Sequence, residues 1–245
     1  MKIANGVEML EINSNIMGMD SVINPTLIWD KDTIMLVDAG YPGQLPKIRE
    51  EIEKTGIEFN KLNKVMITHQ DIDHIGSLSS ILKSLPNEVK VFAHIEEKAY
   101  INGEKVPVKL SELETKLANG AEELKMIYEK LKTGFENCKV NIDKTLTDGE
   151  ELQCCGGIIV IFTPGHTPGH ISLYLKESKT LIAGDLLMVK SGKLVASPDS
   201  INFDNNLNEK SLKKLLKYDI ETVICYHGGI YKGKVNERIE RILRE

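Results

Sequence analysis

The chain has 245 residues, 41% hydrophobic and 27% charged, with a formal net charge of −5. That length favours one large domain over residues 1–245, and the composition is that of an ordinary soluble globular protein. The acidic balance and scattered Lys and Arg argue against a nucleic-acid surface. No apolar run reaches the length of a membrane span, and no basic segment precedes an apolar core at the N-terminus, so a cytoplasmic protein with no membrane or nucleic-acid partner is expected.

The first third reads as strands and turns. TLIW (26–29) and TIMLVD (33–38) flank Asp30-Lys31-Asp32, which predicts a hairpin. A polar helix follows Asp38-Ala39-Gly40, with Pro46 in its first turn, Ile48 and Ile52 on one face and Gly56 closing it. After a strand over 64–68, Ile75, Leu78, Ile81, Leu82 and Leu85 recur at helical spacing until Pro86 stops them. VKVFAH (89–94) is a further strand.

Residues 96–136 change character. Leu110, Leu113, Leu117, Leu124, Ile127, Tyr128 and Leu131 predict two amphipathic helices broken at Asn119-Gly120, a helical insertion in a strand-rich pattern. It is read as packing on the sheet, with a lid or a contact between two copies of the chain as the alternative. Beyond 140 the strands return at 157–163, 171–175 and 180–184. A hairpin then turns at Ser191-Gly192, and a polar loop covers 197–206. A helix over 208–218 turns Leu212, Leu215 and Leu216 inward, and strand 222–226 and a terminal helix over 235–244 finish the chain. Cys138, Cys154, Cys155 and Cys225 form no CxxC pair and read as free buried thiols in a reducing compartment. Cys154 and Cys155, as neighbours in a strand, would face opposite ways, and Cys225 would share a side with His227.

Four apolar runs stop on a histidine or an acid: LNKVMITHQDIDH (62–74), GIIVIFTPGH (157–166), TLIAGD (180–185) and TVICYHGG (222–229). Each reads as a buried strand that releases metal-type ligands into the loop at its C-terminal end. A sheet gathers such ends from distant sequence, so His69, Asp71, Asp73, His74, His166, Asp185 and His227 can surround one point. Imidazole nitrogen and carboxylate oxygen suit borderline or hard divalent metals. Asp71 and Asp73 taken alone would be helix caps, but His69 and His74 beside them favour metal binding. His166, held between two Pro-Gly turns, reads as a ligand, and His170 as a structural or supporting histidine.

In these signatures the chain resembles the metallo-β-lactamase-fold hydrolase superfamily. They are VDAG, the box from His69 to His74, the PGHTPGH loop from Pro164 to His170, Gly184-Asp185 and the late His227, in that order. The resemblance implies an α/β (α+β) fold, a four-layer αββα sandwich. It implies two divalent metal ions: one on His69, Asp71 and His166, the other on Asp73, His74 and His227, bridged by Asp185. Asp38 would orient a ligand rather than bind metal. Where the family box has histidine this chain has Asp71, a shorter and anionic side chain. Zinc is the expected metal, with manganese or iron(II) as alternatives that Asp71 opens. The implied activity is hydrolysis of an ester, lactone, thioester or amide in a small molecule, lactonase-like or thioesterase-like, by hydroxide formed at the metals, with Asp73 orienting the nucleophile. The rival readings are an iron-dependent thiol or persulfide dioxygenase on the same fold and a non-catalytic metal-binding module.

Overall fold

The computed structural model describes every residue except Met17. Strands β1 (Lys2–Ala4) and β2 (Val7–Met9) lead into a separate hairpin, β3 (Ile12–Ile16) and β4 (Met19–Ile23). β5 (Thr26–Trp29) and β6 (Ile34–Val37) form the expected hairpin. β7 (Lys64–Met66), β8 (Lys90–His94) and β9 (Lys144–Leu146) then add in parallel, giving a seven-stranded sheet ordered β1-β2-β5-β6-β7-β8-β9.

The second half supplies β10 (Glu151–Leu152), β11 (Ile158–Phe162), β12 (Ile171–Leu175) and β13 (Thr180–Ile182). A small hairpin, β14 (Leu187–Lys190) and β15 (Lys193–Ala196), precedes β16 (Thr222–Cys225) and β17 (Gly229–Lys232). The second sheet is ordered β10-β11-β12-β13-β16-β17. The helices are α1 (Leu45–Lys54), the single turn α2 (Ile72–Ile75), α3 (Leu78–Ser84), α4 (Ile95–Ile101), α5 (Val108–Ala118), α6 (Lys125–Cys138), α7 (Asn205–Leu215) and α8 (Val235–Ile242).

Three apolar clusters correspond to the three interfaces of a four-layer αββα sandwich. Period-2 alternation sorts each strand between them. On β6, Leu36 turns outward to Ile48 and Ile52 of α1, while Met35 and Val37 turn inward. The inward set meets Val160, Leu173, Ile182 and Ile224 of the second sheet. On that sheet's outer face, Val223 and Cys225 pack on Leu212 and Leu215 of α7 and Ile239 of α8. Full burial of such a side chain stabilises by about 1.5–3 kcal/mol, so the sandwich is held by all three interfaces together.

Several expectations need correction. The insertion holds three helices, because α4 precedes the two expected around Asn119-Gly120. Leu110 is buried, but Leu113, Leu117, Leu124, Ile127, Tyr128 and Leu131 are only half-buried, and so is Leu216 beyond α7. Cys154 and Cys155 are half-buried and lie in a turn, not a strand. Cys155 has φ 51 and begins a left-handed run with Gly156 and Gly157, so alternation does not separate the two thiols. β16 ends at Cys225; its thiol sits in the outer core, whereas His227 lies past the strand against the Asp73 and Asp185 carboxylates. Asp71 immediately precedes α2 in extended backbone, and Asp73 lies inside the helix.

Candidate metal centre

Five strands point their C-terminal ends at one edge of the sandwich. β6 ends on Asp38, β7 on Thr68 and His69, β11 on the loop bearing His166, β13 on Asp185 and β16 on His227. The seven expected residues meet there. Three groups have ligand atoms mutually within 4.8 Å: His69, Asp71 and His166; His69, His74 and Asp185; Asp73, His74 and His227. Asp185 Oδ1 lies 3.4 Å from His74 Nε2, and its Oδ2 lies 3.6 Å from His166 Nε2 and 3.3 Å from His227 Nε2. One carboxylate therefore reaches both halves of the cluster.

The supporting hydrogen bonds fix which ring nitrogen faces inward. Asp38 accepts from the Thr68 amide and hydroxyl, both at 2.8 Å, and from His74 Nδ1 at 2.9 Å. The Thr68 proton is thus committed to Asp38, and its lone pair accepts from His69 Nδ1 at 3.0 Å. His166 Nδ1 donates to Asn202 Oδ1 at 3.3 Å. In each case Nε2 is left for the centre. His170 differs: Nδ1 faces Thr163 Oγ1 at 2.9 Å and Nε2 accepts from the Asp185 amide at 3.0 Å, so both nitrogens are used. Asp38 holds φ 64, a strained value for a residue with a side chain, of the kind found at functional sites. Gly184 has φ +54, and a Cβ there would lie 2.5 Å from His170 Nε2, so the turn before Asp185 admits only glycine.

The fit to cations can be judged from atoms left without partners. Nε2 of His69 and His74 and Oδ1 of Asp71 and Asp185 are buried with no hydrogen-bond partner. Four such lone pairs at one place, each costly to leave unmade, form the donor set of a hard or borderline divalent ion. Asp71 does not break the set: its Oδ2 lies 3.1 Å from His166 Nε2 and 3.7 Å from His69 Nε2. Nor does it act as a helix cap, since it makes no side-chain capping bond to α2.

The electrostatics follow from crowding charges in a dry site. Burial opposes ionisation of Asp71, Asp73 and Asp185, but the surrounding imidazoles outweigh it and hold all three below the usual carboxylate range. Burial likewise pushes His74 and His227 down, yet the carboxylates around them win. Without a cation, His74 stands well above the usual imidazole range and His227 rises to about 10, so a cation binding at Nε2 would displace a proton from each ring. His69 is lowered by burial and by His74, and His170 by burial and by His69. Around this centre lie two clefts. One of about 340 Å³ runs from Asp71 and Asp73 between Lys109, Leu113, Leu131 and Phe135 of the insertion. The other, about 710 Å³, runs from His227 between Val22 and Val189.

Some contributors were not visible as motifs. Tyr226 stacks on His74 with ring centroids 3.8 Å apart and donates to the Asp73 carbonyl at 2.5 Å. Gln70 stands inside the box as an apparent spacer but is fully buried and bonded to Glu97. Glu97 lies in the helix that the sequence pattern did not signal, and burial, with Asp71 adding to it, raises its carboxyl to about 7. With Glu96 beside it in a seven-residue helix, no local pattern sets Glu97 apart from a surface acid.

Residues 18–227 match the profile of the Metallo-beta-lactamase superfamily. The chain is 27% identical over 217 residues to "Probable metallo-hydrolase YflN" of Bacillus subtilis, covering 82% of this chain and 78% of that protein. It is 28% identical over 201 residues to a hydroxyacylglutathione hydrolase of Buchnera aphidicola, covering 78% and 62%. Among solved structures, the metallo-beta-lactamase family protein TTHA1429 from Thermus thermophilus superposes with a TM-score of 0.74 at 21% identity, covering 99% of this chain and 80% of that one. No helix among the described residues is long and apolar enough to cross a membrane. The family and the His/Asp clusters together point to divalent-metal binding and to a metallo-hydrolase, and the chain belongs to the metallo-beta-lactamase superfamily.

Proposed function

We propose that the chain is a two-metal hydrolase that cleaves an ester, lactone, thioester or amide of a small molecule. The observation that carries this reading is the convergence of four buried, unpartnered lone pairs on His69, Asp71, His74 and Asp185. His69, Asp71 and His166 would hold one cation, Asp73, His74 and His227 the other, and Asp185 would lie between them. Such cations supply Lewis acidity, lowering the pKa of water and polarising a carbonyl.

The chain's own residues do the rest. Asp38, through Nδ1 of His74, and Thr68, through Nδ1 of His69, keep the two rings from rotating away. The Asp73 carboxylate, 3.2 Å from His227 Nε2, orients the nucleophilic water. The half-buried phenol of Tyr41 faces Asp73 as a further donor. The clefts beside Asp73 and His227 set apolar side chains (Leu113, Leu131 and Phe135 in one, Val22 and Val189 in the other) next to charged ones (Lys109, Glu112 and Lys116, and Glu11), a lining that suits a small molecule with an acyl group and a polar or charged end. Likeness to a hydroxyacylglutathione hydrolase, whose named substrate is a thioester by its chemistry, supports thioesters as the first of the four bonds to try. Zinc is the favoured ion, and the third carboxylate, Asp71, makes manganese and iron(II) the rivals. The test is purified protein reconstituted with each ion and assayed against thioesters, lactones, esters and amides. Turnover of one class is expected; bound metal with no turnover of any class removes the hydrolase reading.

A further inference from the structure

We propose that Glu97, in the insertion, is the positioning residue that holds two of the ligand-bearing loops of the cation site in register. This rests on reading the cluster as a cation centre. Glu97 is fully buried at the start of α4, directly after the C-terminal end of β8. Its Oε1 accepts from the Thr167 hydroxyl at 2.7 Å and the Gly169 amide at 2.6 Å, and its Oε2 accepts from Gln70 Nε2 at 2.9 Å. Gln70 lies between His69 and Asp71, and Thr167 follows His166. One side chain thus grips the chain beside three candidate ligands drawn from two loops nearly a hundred residues apart.

The donor pattern admits only an acceptor at position 97. Gln70 Oε1 accepts from the Val108 amide at 2.9 Å, at the first residue of α5, which fixes the orientation of the Gln70 amide and forces its NH₂ toward Glu97. All three groups facing Glu97 are therefore donors. A glutamine there would set NH₂ against NH₂, and reorienting Gln70 would set NH₂ against the Val108 amide. The fit is also steric: a Cβ on Gly169 would lie 2.7 Å from Glu97 Cγ and Oε1. A buried carboxylate without a cationic partner is expensive, and a plain packing role would be filled by an apolar residue. The same network ties α4 and α5 to the site, so the insertion acts as its scaffold.

The test is a swap. Cobalt(II) affinity and the cobalt d–d spectrum are measured for the wild type, Glu97→Gln, Gln70→Glu and the double variant, with amide exchange of residues 163–170 in the metal-free proteins. Each single change is expected to weaken cobalt binding by about 10- to 100-fold, alter the spectrum and speed exchange in the loop. The double variant restores the pattern: the carboxylate now at position 70 accepts from the Val108 amide and from the side-chain NH₂ now at position 97. Affinity, spectrum and protection should therefore return. Single variants that bind and exchange like the wild type, or a double variant no better than the worse single, overturn the proposal. A wild type that takes up no cobalt refutes the cation reading instead, while the exchange data still decide whether Glu97 holds the loops.

Discussion

Both ends of the sandwich gather polar side chains, and they do different things with them. At the end where strands begin, Asp30 accepts from the Asp32 and Thr33 amides at 2.9 and 2.8 Å and from the Cys155 amide at 2.6 Å. Asn63 bonds the Ile34 amide and the Asp32 carbonyl, and Lys64 donates to Thr33 Oγ1 at 2.7 Å. This cluster clasps the β5–β6 hairpin of one sheet to the Cys154-Cys155 turn of the other. None of its atoms is among the buried groups left without a partner. At the end where strands stop, four lone pairs are left open. Polar side chains whose hydrogen bonds are all made hold the fold; open valences aimed at one point are what mark a candidate site.

The sharpest break of this contrast is Asp185→Asn. Losing the carboxylate that reaches both halves should strip the protein of both cations and abolish hydrolysis, measured as metal content and turnover, with the fold retained by circular dichroism. Asp38→Asn acts one step removed, through His74, and should weaken cation binding by about 10- to 100-fold. Asp71→His sharpens the contrast within the site: it replaces an anion with an imidazole and should shift selectivity toward zinc over manganese in a competition titration.

Changes at the far end should leave metal content untouched. Asp30→Ala removes three hydrogen bonds, two exposed and one part-buried, and should cost about 1 kcal/mol of stability in a denaturant melt. The smallest effect is chemical. Contact with Cys155 and the nearby Lys64 ammonium lower the half-buried Cys154 thiol to about 7. Iodoacetamide should therefore label Cys154 before Cys138 or Cys225, whose thiols burial pushes up, with a rate rising through pH 7 as the thiolate forms.

The strand ends were legible because a buried strand writes a continuous apolar run and its acid or histidine follows at once, as in TLIAGD and TVICYH. The β5–β6 hairpin and the turn at Ser191-Gly192 were legible for the same local reasons, with Ser191 at φ 50 and Gly192 at φ 73. What escaped notice depends on tertiary context. The short strands β1 and β17 lie at sheet edges, and their residues alone carry little pattern. α4 was hidden because IEEKAYI is too short for a clear period, and its key residue is a buried acid that looks like a surface one. Alternation failed at Cys154-Cys155 because three successive residues with positive φ end the strand geometry there. Tyr226 reads as the tail of an apolar strand, although it lies one residue past β16 and caps the His74 ring.

The most direct test of the central claim is anomalous diffraction from crystals grown with zinc or manganese. The account predicts two peaks flanking Asp185, one among His69, Asp71 and His166 and one among Asp73, His74 and His227. An anomalous map with no peak at this edge, with the seven side chains in the positions described above, would contradict it.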